Sequence, residues 1–168
     1  MPRALPLALL ALAAAGCDGG SPDDPALACA DVGLSDRGTL TASTPTGTFR
    51  ATCFEVRTSA DDLTVLAYAY DFAQDEPLRG RVRLLVGGFE PGQYPIPGTP
   101  GRRSAAEYDP DPRTQLEAET GAVALAEASA DRVRGSFSFV TTDGVVVTDG
   151  AFDVERARPA ATAPPAAE

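Results

Sequence analysis

The chain of 168 residues contains no histidine and no lysine, and these two absences remove most of the common ways to build an active site. Without histidine there is no Ser-His-Asp triad and no imidazole base. Without lysine no phosphate-cradling Gly-x-x-x-x-Gly-Lys loop exists, and Gly-x-Ser-x-Gly is missing as well. Cysteine is scarce: Cys17, Cys29 and Cys53 are the only three, and no Cys-x-x-Cys spacing occurs, so a zinc site is excluded. Asparagine is absent and all fourteen basic residues are arginine, a bias that reads as a GC-rich genome rather than as a binding device. Positive charge is in short supply, with 14 basic against 24 acidic residues and a net charge of −10. A chain of this sign repels a phosphate backbone, so nucleic acid is excluded as a partner. Its acidity suits solubility. No cofactor is implied.

Long apolar runs are lacking too. Ala4 to Ala15 is a stretch of twelve residues, too short to span a bilayer but suited to the h-region of a signal, with Arg3 as its positive start. It ends in Ala14-Ala15-Gly16-Cys17, which resembles a bacterial lipobox. That resemblance implies cleavage before Cys17 and lipidation of its thiol, although Ala14 stands where such signals prefer leucine. An ordinary secretory signal cut near Gly16 is the competing reading. Residues 1–16 are thus expected to be a lipoprotein signal peptide, and two or three acyl chains on Cys17 would anchor the chain stably. Asp18 resembles an inner-membrane retention signal of one bacterial group only, so an outer-membrane lipoprotein of the cell envelope remains the expectation, facing either the periplasm or the surface. Residues 17–37 are expected to form a flexible tether, because DGGSPDDPALA offers little to bury. The Ala/Pro-rich residues 157–168 are expected to be disordered.

Removing the signal takes the net charge from −10 to −11, through loss of Arg3, and leaves about 150 residues, enough for one domain. With Cys17 lipidated, Cys29 and Cys53 remain as an even pair in an oxidising compartment, and a disulfide is expected between them, with free thiols as the alternative. The domain, residues 38–156, alternates short apolar segments with turn signals about every ten residues. Strands are predicted over 38–42, 48–56, 63–72, 79–86, 104–108 and 122–127. Leu63 to Phe72 is apolar on both faces and reads as an internal strand. Arg79 to Val86 places Val82, Leu84 and Val86 inward and Arg81 and Arg83 outward. The proline-rich residues 90–101 suit an edge segment with Tyr94 and Ile96 tucked in. Asp109-Pro110-Asp111-Pro112 reads as a turn. Residues 115–130 carry an Ala/Glu content that favours helix, against the alternation of Val123 and Leu125. The fold class expected is all-β, a single antiparallel β-sandwich or barrel of about eight or nine short strands.

The clearest pattern is a C-terminal hairpin over 132–155. Val133, Gly135, Phe137 and Phe139 alternate with Arg134, Ser136 and Ser138. A three-residue loop, Thr142-Asp143-Gly144, pairs Thr141 with Val145 and Phe139 with Val147. The apolar phase then slips from odd to even positions, Phe152 and Val154, which one extra residue at Asp149-Gly150 explains as a β-bulge. Past the bulge the register is Gly135–Phe152, Arg134–Asp153, Val133–Val154 and Arg132–Glu155. A second tight turn at Asp149-Gly150 is the competing layout.

The lipobox, an early GT-x-x-A strand, Pro91-Gly92-Gln93-Tyr94, the Gly-x-Phe-x-Phe of 135–139 and the Gly-x-Phe-x-Val of 150–154 together resemble a group of uncharacterised bacterial envelope lipoproteins, as found in Bacteroidetes and related phyla. The resemblance covers about residues 38–155 and implies a β-rich envelope domain with no activity to carry over. Carboxylates are plentiful (Asp61, Asp62, Asp71, Asp75, Glu76, Asp109, Asp111), but nearly all sit beside turn residues, where Asp is expected for turn chemistry. A glycosidase pair among them is the least favoured reading, and Asp109 with Asp111 as a calcium site yields to a plain turn. Tyr68, Tyr70, Tyr94 and Tyr108 are candidates for a sugar or lipid site, or ordinary core and rim residues. No catalytic residue and no metal ligand is assigned. The function expected is therefore non-enzymatic: a lipid-anchored envelope protein presenting a β-domain to another protein or to a polymer. A lipocalin-like carrier of a small apolar ligand is the alternative.

Overall fold

The computed structural model describes residues 25–99 and 103–156. The expected signal peptide, Cys17 and the expected disordered tail, residues 157–168, lie outside them. Of the segment grouped above as tether, residues 25–37 are structured. Pro25–Asp31 forms a short helix, α1, with proline in its first turn. Gly33, at φ 74°, ends it: the Gly33 N–H donates to the Ala30 carbonyl and the Leu34 N–H to the Cys29 carbonyl. Both bonds satisfy carbonyls that a helix end leaves without partners.

The rest is antiparallel sheet. Ten strands follow: β1 (Gly38–Thr44), β2 (Gly47–Arg50), β3 (Cys53–Thr58), β4 (Leu63–Tyr70), β5 (Leu78–Val86), β6 (Gly92–Ile96), β7 (Ser104–Asp111), β8 (Thr114–Ala128), β9 (Arg132–Thr141) and β10 (Val146–Glu155). They pair in the order β2-β1-β10-β9-β8-β7-β5-β4-β3, with β6 added beside β8, in one sheet curled into a half-barrel. The all-β expectation holds, with ten strands instead of eight or nine.

β8 makes the curl. Its start pairs with β7, its later residues 121–125 pair with β6, and β9 runs along its other side. Two arms result, one of β3-β4-β5-β7 and one of β2-β1-β10-β9 with β6. The inward side chains of both arms form one core that includes Leu40, Phe54, Val82, Leu84, Val123, Phe137 and Phe152. The helix-leaning composition of 115–130 loses to this placement, since pairing on both edges and burial of Leu116, Val123 and Leu125 outweigh propensities of tenths of a kcal/mol per residue.

The predicted strand 48–56 is two strands on different arms. The chain crosses between the ends of the sheet at Ala51 and Thr52: the Ala51 N–H donates to Leu40 on one arm and the Thr52 N–H to Tyr68 on the other. The predicted turn 109–112 is also corrected. β7 runs on to Asp111, with an irregularity between Tyr108 and Asp111 that accommodates Pro110. Tyr94 and Ile96 are buried on β6, as the proline-rich segment suggested.

The hairpin has the predicted register at all four pairs, 135–152, 134–153, 133–154 and 132–155, and the bulge falls between Val147 and Gly150. Asp149 takes φ 51° there, and Gly144 takes φ 79° in the turn. An added Cβ on Gly135 would lie 2.6 Å from Cζ of Phe152, so the ring does lie over the glycine. The ion pairs differ from the register. Arg132 reaches diagonally to Asp153, Arg134 pairs instead with Glu127, its direct partner on β8, and Glu155 pairs with Arg37. Long side chains on a twisted sheet reach diagonal neighbours readily.

Candidate functional site

The strands place the four tyrosines differently. Tyr94 and Tyr108 face the core and are buried; Tyr108 meets Phe49 edge-on, and the Tyr94 hydroxyl donates to the Glu90 carbonyl at 2.7 Å. Tyr68 and Tyr70 lie on the outer face of β4, half-buried. Alternation explains this: Leu63, Val65 and Ala67 point inward, leaving Leu66, Tyr68 and Tyr70 outside. The apolarity of both β4 faces is thus real, and β4 is internal, between β3 and β5.

Phe72, just past the end of β4, extends this file. Its ring stacks on Tyr70 with centroids 5.0 Å apart, and Tyr70 follows Tyr68 at 6.0 Å. Phe72 is 37% exposed, and only Val32 and Val146 join it as exposed large hydrophobics among the described residues. Phe72 closes the predicted strand 63–72 and continues the alternation of Leu66, Tyr68 and Tyr70, although only the tyrosines stood out as candidates in the sequence.

Beside the rings runs a row of charges. β5 and β7 pair Arg81 with Asp109 and Arg83 with Glu107. The Arg81 guanidinium lies 2.7 Å from Asp109 and 3.7 Å from Glu107, and Arg83 donates to Glu107 at 2.7 Å. On β3, Arg57 grips Glu55 with two bonds, 2.6 and 2.8 Å. Arg81 and Arg83 face outward as predicted; of their partners, Glu107 comes from the predicted strand 104–108 and Asp109 from the stretch read as a turn. The Arg81–Asp109 contact is one-pronged, and Arg81 Nε and Asp109 Oδ1 find no hydrogen-bond partner among the described residues.

Burial sets the titration of this face. It pushes the Tyr68 hydroxyl above the ordinary tyrosine range; the Glu55 carboxylate adds to the rise, and Arg81 and Arg57 oppose it. Tyr70 is raised by burial and then by Tyr68. Asp109 is raised by burial, against the pull of Arg81. A carboxyl raised in this way takes up its proton at a higher pH in the folded chain than in the unfolded one. Its contribution to stability is complete below the unfolded value of about 3.9 and is lost as pH rises through the raised one. Asp109→Asn removes that dependence. The melting temperature of Asp109→Asn relative to the natural chain is therefore expected to be most favourable at neutral pH and to decline as pH falls. Circular dichroism melts across the acid range check this, and a constant difference would contradict it.

The remaining carboxylates do not converge with Asp109. Asp111 accepts from the Arg113 N–H at 2.8 Å and from the Thr114 hydroxyl at 2.9 Å, which is turn chemistry. These bonds hold its carboxyl below the usual range. Asp61 and Asp62 line a separate open cleft of about 850 Å³ with Glu90, Phe89 and Arg103. Asp71 pairs with Arg79 at 3.8 Å. Among the described residues no three His, Cys, Asp or Glu side chains gather where they would hold a metal ion.

Cys29 and Cys53 form the expected disulfide, with Cα atoms 5.6 Å apart. Cys53 pairs with Tyr68, so the bond ties α1 to β3 at the end of the face that carries the rings. Cys17 lies outside the described residues. No helix among the described residues is long and apolar enough to cross a membrane. No protein-family model matches the chain, and neither a curated protein nor a solved structure does.

Proposed function

We propose that the chain is a lipid-anchored protein of the bacterial cell envelope, at the outer rather than the inner membrane. Its β-domain is a non-enzymatic interaction module that works through the outer face of β3-β4-β5-β7. The observation that carries the interaction reading is the half-exposed file Tyr68–Tyr70–Phe72 beside a row of charges already paired among themselves. Apolar rings held at a surface and bordered by fixed polar groups are the composition of a recognition surface. The anchor rests on the twelve-residue apolar run closing at Cys17 and on its resemblance to a lipobox. A lipocalin-like carrier would need a hollow interior, whereas here the inward side chains meet in one cluster, with Phe137 against both Phe139 and Phe152. That packing favours the outer face over the inside.

The anchor is tested by expressing the full chain in a bacterium that processes lipoproteins. The protein is expected in the membrane fraction, begins at Cys17 and carries acyl mass on that residue. Cys17→Ala is expected to abolish the acyl mass and the membrane association. An unmodified Cys17 in a soluble natural protein would overturn the anchor.

A further inference from the structure

We propose that the outer face built by Tyr68, Tyr70, Phe72, Arg81, Glu107 and Asp109 binds a neutral polysaccharide chain. The proposal rests on the reading of this face as the interaction surface and adds what occupies it.

The charges on the face point to an uncharged occupant. Arg57 is held by Glu55, Arg81 by Asp109 and Glu107, Arg83 by Glu107, and Arg79 at the strand end by Asp71. In a chain with a net charge of −10 this face is locally balanced. A polyanion would meet no unpaired cation here and a net repulsion from the rest of the molecule. A basic peptide would have to displace arginines already seated on the carboxylates, Glu107 and Asp109 being shielded to 14% and 12% side-chain exposure.

The ring file supplies the other half. A sugar ring has apolar C–H faces and hydroxyls around its rim. The faces pack on aromatic rings, and each hydroxyl both donates and accepts, which suits a border where guanidinium N–H groups alternate with carboxylate oxygens. The apolar area is too small for a large protein interface, since Phe72 is the only exposed large hydrophobic on this face among the described residues, Tyr68 and Tyr70 being half-buried. Its file of rings along one strand suits a chain of repeating units.

The test uses the full lipidated protein in detergent, run by affinity electrophoresis through gels containing mannan, xylan or β-glucan, with alginate as the polyanion. Retardation is expected in at least one neutral gel, unchanged when salt is raised well above physiological. Tyr70→Ala is expected to weaken it roughly tenfold, in line with the loss of one ring contact. Phe72→Ser, at a turn outside the strand, is expected to weaken it as well, with the melting temperature unchanged, which separates loss of binding from loss of fold. No retardation in all three neutral gels would overturn the proposal. So would retention by alginate alone, or retention equal in both variants and the natural protein. A photo-crosslinker placed at Phe72 in the native envelope that captures a protein instead of glycan would also overturn it. Acyl mass at Cys17 is read on the same preparation, so a lipidated protein that binds no glycan sinks this inference and leaves the anchor standing.

Discussion

Replacing Cys29 and Cys53 with alanine is expected to cost the domain about 3.5 kcal/mol, the value a chain-entropy estimate assigns to a loop of this length. The bond joins residues 24 apart in sequence, and both cysteines are fully buried. Few other contacts hold the segment it secures. A helix of seven residues is far below the length that is stable alone in water. Beyond it, the chain touches β3 through one reciprocal pair of backbone bonds, Ser35 N–H to the Phe54 carbonyl at 2.9 Å and Phe54 N–H to the Ser35 carbonyl at 2.7 Å. With the disulfide gone, α1 has little to keep it folded, and the last strand of the sheet loses its cover. An uncovered end strand invites pairing with another chain, so the variant should also self-associate more readily. Urea denaturation of the natural protein, the double-alanine variant and the reduced natural protein measures the effect, and a melting temperature lower by roughly 10 °C should accompany it. A loss below about 1 kcal/mol would mean that α1 is held by something other than the bond. The same experiment bears on the proposed recognition face. Cys53 is the cross-strand neighbour of Tyr68, so a reduced protein is expected to bind less well through that face even where the core remains folded.

The parts of this fold that were legible in the sequence are those where neighbours in the chain are neighbours in space. The hairpin register followed from alternation, one turn glycine and a single phase slip, and all of these are local. The inward and outward positions of β5 followed from alternation alone. What was not legible depends on which strands come to lie beside one another. Nothing in TFRATCFEV marks Ala51 and Thr52 as the place where the chain leaves one arm for the other, because residues on both sides of the crossing are equally fit for a strand. The diagonal choice of Arg132 for Asp153, and the reach of Arg134 to Glu127, need the twist and the third strand β8. The candidate face was half visible. Arg81 and Arg83 could be placed outward from their own strand, whereas the two apolar faces of β4 left the side taken by Tyr68 and Tyr70 open. Asp109 and Glu107 became their partners only once β7 was known to lie beside β5 and to continue beyond Tyr108.

Gly121→Ala is expected to destabilise the domain by about 4 kcal/mol, combining an overpacking cost of about 1–3 kcal/mol with backbone strain of similar size. The role of this position is set by the curl of the sheet. Gly121 stands in β8 where the strand has left β7 and takes up β6, just after an irregularity in its pairing with β9 between Ala118 and Thr120. Its φ of 152° is a backbone state that L side chains rarely adopt. An added Cβ would overlap the Ser138 carbonyl oxygen and lie 2.6 Å from Cα of Phe139. Both obstacles are backbone or next to it, on the strand paired with Gly121, so no rotamer change relieves them. Gly144→Ala separates the two contributions. Gly144 also has positive φ, 79°, but nothing lies within 4 Å of its added Cβ. That variant carries the conformational strain alone and is expected to cost about 1 kcal/mol. The comparison is made by urea denaturation, and equal losses in the two variants would refute the steric account. Because β8 is the strand shared by both arms, the loss in Gly121→Ala should lower a single cooperative transition. An intermediate with only one arm unfolded would show that the arms are separable, and that the bend at Gly121 joins two units instead of completing one.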